Sequence, residues 1–243
     1  FEGKRVLVVG AASGLGAAIA KGFAAEGARL TLVDRDAAML AVLAGGLPEA
    51  QLVAADAADP ATAKRVNGTD ILIHTAAIDP LSASDVPGTS LADWQAVLNV
   101  NLTSAFLFAR AVLPGMIAQR AGCLLFTGSI SGLRPTPKEA AYSVSKAGII
   151  QLARAIALDH ARDGIRSNTL CPGFLEAVMA DRKATMDARA LADRSRAAAA
   201  LVPLGREGRY AELAALALAL CDDAVSSYVT GQAIVADGGV LLT

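Results

Sequence analysis

The chain has 243 residues, of which 54% are hydrophobic and only 4% aromatic, and its formal net charge is −1. This length fits one large α/β domain, and an apolar content dominated by Ala, Leu and Val suits helices packed on a parallel sheet. The near-zero net charge provides no excess of positive charge with which to bind nucleic acid or an anionic membrane surface.

The three cysteines, Cys123, Cys171 and Cys221, are far apart, and the histidines are His74 and His160. Because these spacings match neither a zinc motif nor a disulfide framework, we expect buried or half-buried thiols in a reducing compartment and no metal site. The sequence opens without a basic segment followed by an apolar run, and we see no uninterrupted apolar run long enough for a bilayer. We therefore expect a cytoplasmic protein.

A short apolar run over Lys4–Gly10 predicts a buried parallel strand, and the residues after the next turn have helical spacing. Glycine lets a ligand approach the main chain, and the N-terminus of a helix offers unpaired N–H groups to a pyrophosphate. The pattern G-x-x-x-G-x-G between a strand and a helix thus predicts a dinucleotide site, the alternative being a merely tight turn. Five residues of this turn are candidate cofactor ligands: Gly10, Ser13, Gly14, Leu15 and Gly16.

The second predicted strand, Arg29–Val33, ends at Asp34. An acidic residue about 20 positions after such glycines is placed to bind the adenosine ribose hydroxyls. Its charge also repels a 2′-phosphate and so favours NAD over NADP, although the neighbouring Arg35 could soften that preference. The alternative role for Asp34 is an N-cap of the helix that starts near Asp36.

Further strands follow at Gln51–Ala55 and Asp70–Thr75. Asp56, directly after the third strand, suits either a contact to the adenine amino group or a loop-start role. The alternation of strands and helices predicts βαβ units in one doubly wound sheet.

The second half of the chain repeats this pattern, with predicted strands at Gly122–Thr127, Ile165–Leu170 and Ala233–Asp237. Ser129 follows the first of these strands, and Pro172-Gly173 follows the second. Ligands of open α/β sheets bind beyond the carboxyl ends of the strands, so these residues are at the edge where a substrate would lie.

A predicted helix ending near Arg162 carries Tyr142 and Lys146, which lie on one helical face because they are four residues apart. A neighbouring ammonium favours the phenolate form of a tyrosine, which can then exchange a proton with an alcohol or carbonyl oxygen. The alternative is a lysine that snorkels past a tyrosine. The long helix predicted at Leu91–Ile117 contains Asn99 and Asn101, and we expect one of these amides to have a polar task in the interior.

Taken together, these residues resemble the short-chain dehydrogenase/reductase family in its compact, single-domain form. The resemblance rests on the glycine turn, Asn101, Ser129 thirteen residues before Tyr142, the Y-x-x-x-K motif, Pro172-Gly173 and the closing TGQAIVADGG. It implies an α/β fold with a doubly wound, Rossmann-type parallel sheet and helices on both faces. It also implies a single domain over residues 1–243, with a substrate-loop insertion at about 174–204.

The resemblance implies a reaction as well: an NAD-dependent transfer of hydride between a nicotinamide and a secondary alcohol or ketone. Tyr142 would be the general acid/base, Lys146 would lower its pKa and hold the nicotinamide ribose, and Ser129 would bind the substrate oxygen. Asn101 would hold a water molecule of a proton relay. The implied cofactor-binding residues are Gly10, Ser13, Gly14, Leu15, Gly16, Asp34, Asp56, Ala57, Ala76, Tyr142, Lys146, Pro172 and Gly173.

Two other functions remain as alternatives, a dinucleotide-binding sensor without turnover and a lyase or epimerase that retains bound NAD. The intact Ser, Tyr and Lys set argues against the sensor, and the absence of a large C-terminal substrate domain disfavours a sugar-nucleotide epimerase. The resemblance implies a homotetramer, or at least a dimer. The identity of the small-molecule substrate does not follow from the sequence.

The chain departs from the family pattern after the fourth strand, where His74-Thr75-Ala76-Ala77 replaces the usual Asn-Asn-Ala-Gly. We expect His74 to be a hydrogen-bonded structural residue rather than a new catalyst. Ala177 occupies the position of a threonine that commonly fixes the nicotinamide carboxamide, and its methyl group cannot replace that hydroxyl. Ser131 could either contact the substrate or cap a turn.

Substrate specificity is expected in Phe174–Leu204 and near Asp79–Pro80, Leu133 and Glu139. Basic side chains in the first of these segments would suit an acidic substrate, but we favour the simpler explanation of a solvated helix face with acidic partners. The basic residues are Arg182, Lys183, Arg189, Arg194 and Arg196, and the acidic ones are Asp181, Asp187 and Asp193.

Overall fold

The computed structural model describes residues 1–47, 49–66, 68–79, 84–176 and 187–243. In this part of the chain, parallel strands form a seven-stranded sheet. The strands are β1 (Arg5–Val9), β2 (Arg29–Asp34), β3 (Gln51–Ala54), β4 (Ile71–His74), β5 (Gly122–Thr127), β6 (Ile165–Pro172) and β7 (Ala233–Ala236). Their order across the sheet is β3-β2-β1-β4-β5-β6-β7, and this confirms the predicted doubly wound arrangement.

Helices cover both faces of the sheet. Those of the described residues are α1 (Gly14–Ala25), α2 (Ala37–Ala44), α3 (Pro60–Ala63), α4 (Leu91–Leu98), α5 (Ser104–Gln119), α6 (Ala140–His160), α7 (Ala188–Leu201), α8 (Tyr210–Cys221) and α9 (Asp223–Ser226). Short 3₁₀ turns occupy Ile130–Gly132, Ala161–Asp163 and Val240–Leu242.

The core has two layers because successive side chains of a strand point to opposite faces of the sheet. In β1, Val6 and Val8 pack into the layer that includes residues of α1 and α8. Leu7 and Val9 pack into the opposite layer, which includes residues of α5 and α6. All four residues are at most 1% exposed, which explains why the strand reads as a continuous apolar run.

The sixth strand is longer than the sequence predicts, since it continues through Cys171 and Pro172. These two residues are paired with Val235 and Ala236 of β7. Pairing with a strand far away in sequence therefore sets the end of β6, and the local pattern cannot show it.

The predicted helix Leu91–Ile117 is not a single α-helix. A π-helical turn at Asn99–Thr103 separates α4 from α5. Such turns are rare and occur often at functional sites. This one turns Asn101 into the interior while Asn99 stays exposed, so one of the two amides has the interior position that we expected.

By length and mean hydropathy (1.5), the continuous segment Leu91–Gln119 would also suit a membrane span, contrary to our expectation from the sequence. Phe108, Val112 and Met116 of this segment, however, lie in the core layer beside β4 and β5. The helix α5, which forms the second half of this segment, is therefore part of the core of this fold.

Candidate active site

The residues predicted to act together meet at the edge formed by the carboxyl ends of the strands. The glycine turn follows β1, Ser129 follows β5, and Gly173 follows β6. The 3₁₀ turn after Ser129 packs directly on α6, because a methyl group at Gly132 would lie 2.7 Å from the carbonyl carbon of Lys146. The fold thus places Ser129 and the helix with the Y-x-x-x-K motif side by side.

Lys146 is a buried cation at the centre of this edge. Its side chain is 1% exposed, and Nζ donates a hydrogen bond of 2.8 Å to the carbonyl oxygen of Thr127 at the end of β5. Nζ lies 5.5 Å from the centroid of the Tyr142 ring, a distance that allows a cation–π contact. Burial lowers the pKa of Lys146 to about 8, although the nearby Cys171 and Asp79 act in the opposite direction.

Ser129 is buried and has extended backbone angles at the start of the 3₁₀ turn. Its hydroxyl oxygen accepts a hydrogen bond of 3.1 Å from the backbone N–H of Ser131. The hydroxyl of Ser131 lies 2.8 Å from that of Thr136. Ser129 therefore caps the turn, and the substrate contact that we considered for Ser131 stays a prediction.

Asn101 joins three elements through its fully buried amide. Oδ1 accepts a hydrogen bond from the N–H of Ile78, while Nδ2 donates to the carbonyl oxygen of Ile78 and to the hydroxyl of Ser145. The Ser145 hydroxyl in turn donates to the carbonyl oxygen of Tyr142. Asn101 therefore fixes the loop after β4 and the turn of α6 that carries Tyr142; its part in a proton relay stays a prediction.

The glycine turn is too tight for side chains. A methyl group at Gly16 would lie 2.0 Å from the carbonyl oxygen of Gly10, and one at Gly10, whose φ is +82°, would lie 2.5 Å from the nitrogen of Ala76. Ser13 is the N-cap of α1 but makes no capping hydrogen bond with its side chain in the described part of the chain. The first turn of α1 is also without an acidic residue. This bare N-terminus fits the pyrophosphate of a dinucleotide.

Asp34 stands beside the glycine turn at the end of β2. Its carboxylate accepts hydrogen bonds from the N–H of Ala12 (2.9 Å) and from the N–H of Asp36 (3.0 Å). The N-cap of α2 is Asp36, which accepts a hydrogen bond from the N–H of Met39. The alternative role of Asp34 as that cap is therefore wrong.

Asp56 is exposed, and its carboxylate accepts a hydrogen bond of 2.8 Å from the N–H of Ala58. This is the loop-start role that we considered for it. The neighbouring Ala57 is buried. Contacts of Asp56 and Ala57 with an adenine stay a prediction.

The unusual sequence after β4 has a structural explanation. His74 is 1% exposed, and its Nε2 lies 2.8 Å from the hydroxyl oxygen of Ser104. Because the Ser104 hydroxyl donates to the carbonyl oxygen of Val100, Nε2 carries the proton that His74 donates. Burial lowers the pKa of His74 to about 3 and keeps the ring neutral. These contacts confirm that His74 is a hydrogen-bonded structural residue.

The next residues support the glycine turn. The hydroxyl oxygen of Thr75 lies 2.9 Å from the carbonyl oxygens of Val9 and Gly10. The backbone N–H of Ala76 donates a hydrogen bond to the carbonyl oxygen of Val9. Ala177, the other departure from the family pattern, lies outside the described residues, as does Pro80.

Pro172 and Gly173 are held against the end of β7. The N–H of Gly173 donates a hydrogen bond of 3.1 Å to the carbonyl oxygen of Ala236. A methyl group at Gly173 would lie 2.7 Å from Cβ of Asp237. This close packing fixes the backbone that is predicted to lie against the nicotinamide.

Basic side chains of α7 pair with acidic partners, as the solvated-face interpretation predicts. Arg189 and Arg196 both contact Asp193, and Asp187 caps the helix. Arg194 is different, because it pairs at 2.6 Å with Glu207, which lies outside the helix and whose side chain is 6% exposed. The predicted partners Asp181, Arg182 and Lys183 lie outside the described residues.

No local pattern predicts that Asp79 and Cys171 lie near Lys146. Both are buried, and both oppose the effect of burial on the pKa of Lys146. Asp79, which the sequence suggests for substrate specificity, is buried and lies near Lys146. No spacing rule could reveal this, since the contacts join residues distant in sequence. All three cysteines are buried free thiols, as expected.

Comparison with known proteins agrees with this geometry. A family model described as enoyl-(acyl carrier protein) reductase matches residues 10–241. Galactitol 2-dehydrogenase (L-tagatose-forming) from Cereibacter sphaeroides is 37% identical over 98% of this chain and 95% of its own length. A 3-oxoacyl-(acyl-carrier-protein) reductase from Thermotoga maritima is 36% identical over 100% of this chain and 99% of its own.

A solved structure is similar over the whole chain. L-Sorbose reductase from Gluconobacter frateurii, complexed with NADPH and L-sorbose, has a TM-score of 0.90 and 28% sequence identity, with 100% of this chain and 98% of that chain covered. Fold, site and relatives lead to one conclusion: the chain belongs to the short-chain dehydrogenase/reductase family and is a nicotinamide-dependent oxidoreductase of alcohols and ketones.

Proposed function

We propose that this chain uses NAD to interconvert a secondary alcohol and its ketone, with Tyr142 as the general acid/base. The observation that carries the proposal is the buried ammonium group of Lys146, held by Thr127 and 5.5 Å from the centroid of the Tyr142 ring. A buried positive charge beside a phenol favours the phenolate, which can accept the proton of an alcohol.

Each residue of the site has one task in this reaction. Tyr142 takes the hydroxyl proton during oxidation and returns it during reduction. Ser129 donates a hydrogen bond to the substrate oxygen and stabilises the charge that develops there. Lys146 stabilises the phenolate, and Asn101 holds the helix turn behind Tyr142 through Ser145.

A bound nicotinamide supplies the hydride chemistry, and the chain supplies its binding site. The N-terminus of α1, with Ser13, Gly14, Leu15 and Gly16, receives the pyrophosphate. Asp34, Asp56 and Ala57 lie toward the adenosine half, while Ala76, Pro172 and Gly173 border the nicotinamide half. Tyr142 and Lys146 hold the nicotinamide ribose.

The preference for NAD rests on Asp34. Two backbone N–H groups fix its carboxylate beside the glycine turn, where a 2′-phosphate of NADP would meet its negative charge. The related L-sorbose reductase is complexed with NADPH, so the choice of cofactor differs among members of this fold and needs its own test.

Two substitutions two residues apart provide that test. Asp34→Asn removes the negative charge to which we attribute the discrimination against NADP. Asp36→Asn removes a negative charge from the N-cap of α2 and serves as the control. We expect Asp34→Asn to raise kcat/KM for NADP relative to NAD about tenfold or more, equivalent to about 1.4 kcal/mol, and Asp36→Asn to leave the ratio near that of the wild type. A wild-type enzyme that already prefers NADP would refute this part of the proposal.

The substrate class is tested by turnover. Purified protein should change the absorbance of NADH when it is given secondary alcohols and polyols with NAD, or ketones and ketoses with NADH. Galactitol and L-sorbose belong in this panel because one similar protein is named galactitol 2-dehydrogenase and another is named L-sorbose reductase. No turnover with any member of a broad panel, together with tight NADH binding, would favour the sensor instead.

We further propose a single domain over residues 1–243, a cytoplasmic location and a homotetramer or dimer. The last proposal is supported by an exposed stripe on α6 formed by the apolar residues Val144, Ala155 and Leu158, with the polar Gln151 between them; Leu158 is 85% exposed. Exposed apolar side chains that lie in line on a helix favour association with another copy.

A further inference from the structure

His74 belongs to a chain of buried hydrogen bonds that reaches the helix with Tyr142. Its first link joins the end of β4 to the start of α5, because His74 Nε2 donates a hydrogen bond of 2.8 Å to the hydroxyl oxygen of Ser104. The rings of Phe108 and Phe126 lie beside the imidazole, with centroids 6.2 and 6.4 Å away. His74 and Ser104 are at most 1% exposed, so bulk water would not replace a partner that was lost.

The second link lies at the π-helical turn Asn99–Thr103. The backbone N–H of Ser104 donates to the carbonyl oxygen of Asn99, five residues back, whereas an α-helix would direct it to Val100, four residues back. The hydroxyl of Ser104 donates to that carbonyl oxygen of Val100. Since His74 donates to the same hydroxyl oxygen, it fixes the direction of the Ser104 hydroxyl. The two side chains therefore support the turn where its backbone leaves α-helical geometry.

The third link starts at Asn101, which the π-helical turn directs into the interior. Its Nδ2 donates a hydrogen bond of 3.0 Å to the hydroxyl oxygen of Ser145. The Ser145 hydroxyl donates in turn to the carbonyl oxygen of Tyr142, over 2.7 Å. Asn101 and Ser145 are both 0% exposed. Because close-packed interiors transmit a displacement, a shift of the turn would reach the main chain of Tyr142.

We propose that His74 is a positioning residue for proton transfer by Tyr142. Through Ser104 it holds the π-helical turn in the geometry that aims Asn101 at α6. The proposal rests on the proposed function, in which Tyr142 is the acid/base. It gives the histidine, which stands where the family pattern has an asparagine, a task in the reaction beyond the packing of the sheet.

The test compares two replacements of His74. His74→Gln keeps an N–H donor close to the position of Nε2, whereas His74→Phe keeps a flat ring and removes the donor. His160→Gln is the control, because it removes an imidazole that pairs with Asp163 at a partly exposed position. For each folded variant we would measure the single-turnover rate with NADH and a ketone that the wild type accepts, and Kd for NADH by calorimetry.

The expected result separates catalysis from cofactor binding. His74→Phe should lower the single-turnover rate about tenfold, because a small displacement of a catalytic group is costly, and should leave Kd for NADH within about twofold of the wild type. His74→Gln should restore the rate to within about threefold of the wild type, since the donor to Ser104 is kept. His160→Gln should change neither quantity.

A double variant tests the route from the turn to the acid/base. Ser145→Ala breaks the link between Asn101 and Tyr142. If His74 acts through that link, adding His74→Phe to Ser145→Ala should slow the reaction much less than His74→Phe slows the wild type. Independent effects of the two substitutions would instead multiply.

Amide hydrogen exchange provides a readout that does not depend on activity. Residues 99–104 should exchange faster in His74→Phe than in the wild type, and His74→Gln should lie close to the wild type. If His74→Phe does not fold, Ser104→Ala takes its place in every comparison, because it removes the same hydrogen bond from the other partner.

Other outcomes would overturn the proposal in distinguishable ways. Equal rates for wild type and His74→Phe would refute the positioning role and leave the proposed function intact. An equal loss in His74→Phe and His74→Gln would show that His74 only packs, and multiplying losses in the double variant would refute the route through Ser145. If the wild type turned over no alcohol or ketone, the proposed function would fail and the inference with it.

Discussion

At the scale of a residue, the proposed chemistry depends on the buried charge of Lys146. Its Nζ lies 5.5 Å from the centroid of the Tyr142 ring, on the helix face that the spacing of the two residues predicts. That Lys146 is buried and bonded to Thr127 depends on where α6 lies against β5. This packing joins parts of the chain that have no local relation, so the sequence pattern cannot show it.

The burial of Lys146 predicts a pH dependence of stability. Its pKa falls from 10.5 to about 8 on folding, so the folded state is penalised wherever the unfolded chain keeps this proton. Between about pH 8 and pH 10.5 the unfolded chain binds more protons, and stability from this group therefore rises with pH.

Lys146→Met removes this charge. We expect the variant to be about 1–3 kcal/mol more stable than the wild type near neutral pH, since its apolar side chain has no charge to desolvate, and to lose that advantage as the pH rises toward about 10. The measurement is the free energy of urea unfolding for both proteins across this pH range. A difference that stays constant over the range would contradict a depressed pKa.

At the scale of elements, apolar runs and glycines predict most strands and the turn after β1. The π-helical turn at Asn99–Thr103 escapes prediction because one extra residue in a helix barely disturbs a helical apolar pattern. The end of β6 escapes it because β7 supplies the pairing. Apart from the family resemblance, Asn101 could be singled out only as a polar residue in an otherwise unfavourable place.

The glycine turn gives a prediction at this scale. Gly16→Ala would bring a methyl group within 2.0 Å of the carbonyl oxygen of Gly10, so the turn must shift. We expect a loss of about 1–3 kcal/mol in unfolding free energy and weaker NADH binding.

Gly115 provides the matched control in α5. A methyl group there meets nothing within 4 Å, so Gly115→Ala should raise stability by about 0.5–1 kcal/mol through helix propensity and leave NADH binding unchanged. Denaturant unfolding and calorimetry measure both quantities. Equal effects of the two substitutions would show that close packing in the turn is unimportant.

At the scale of the whole molecule, alternating strands and helices predict the doubly wound sheet, because crossover connections between parallel strands have one hand. The sheet order then brings the glycine turn, Ser129 and Gly173 to one edge. Substrate specificity is much less predictable, since the segment that should control it includes residues 177–186, outside the described part. Its flanking helix α7 has charges that pair within the chain.

The exposed stripe on α6 leads to a prediction about assembly. Leu158→Arg places a charge in the stripe and should shift the proposed tetramer or dimer toward smaller species in sedimentation experiments. Val42→Arg is the control, because Val42 is 73% exposed on α2, which lies outside the stripe. An unchanged sedimentation profile of Leu158→Arg would exclude the α6 stripe as an interface.

The most direct test of the central claim is the turnover of Tyr142→Phe with a substrate that the wild type accepts. The claim predicts a fall in kcat of about 100-fold or more, since the general acid/base is lost, while Kd for NADH stays within a few-fold of the wild type. Turnover close to the wild-type rate in a variant that binds NADH normally would contradict the assignment of Tyr142 as the acid/base.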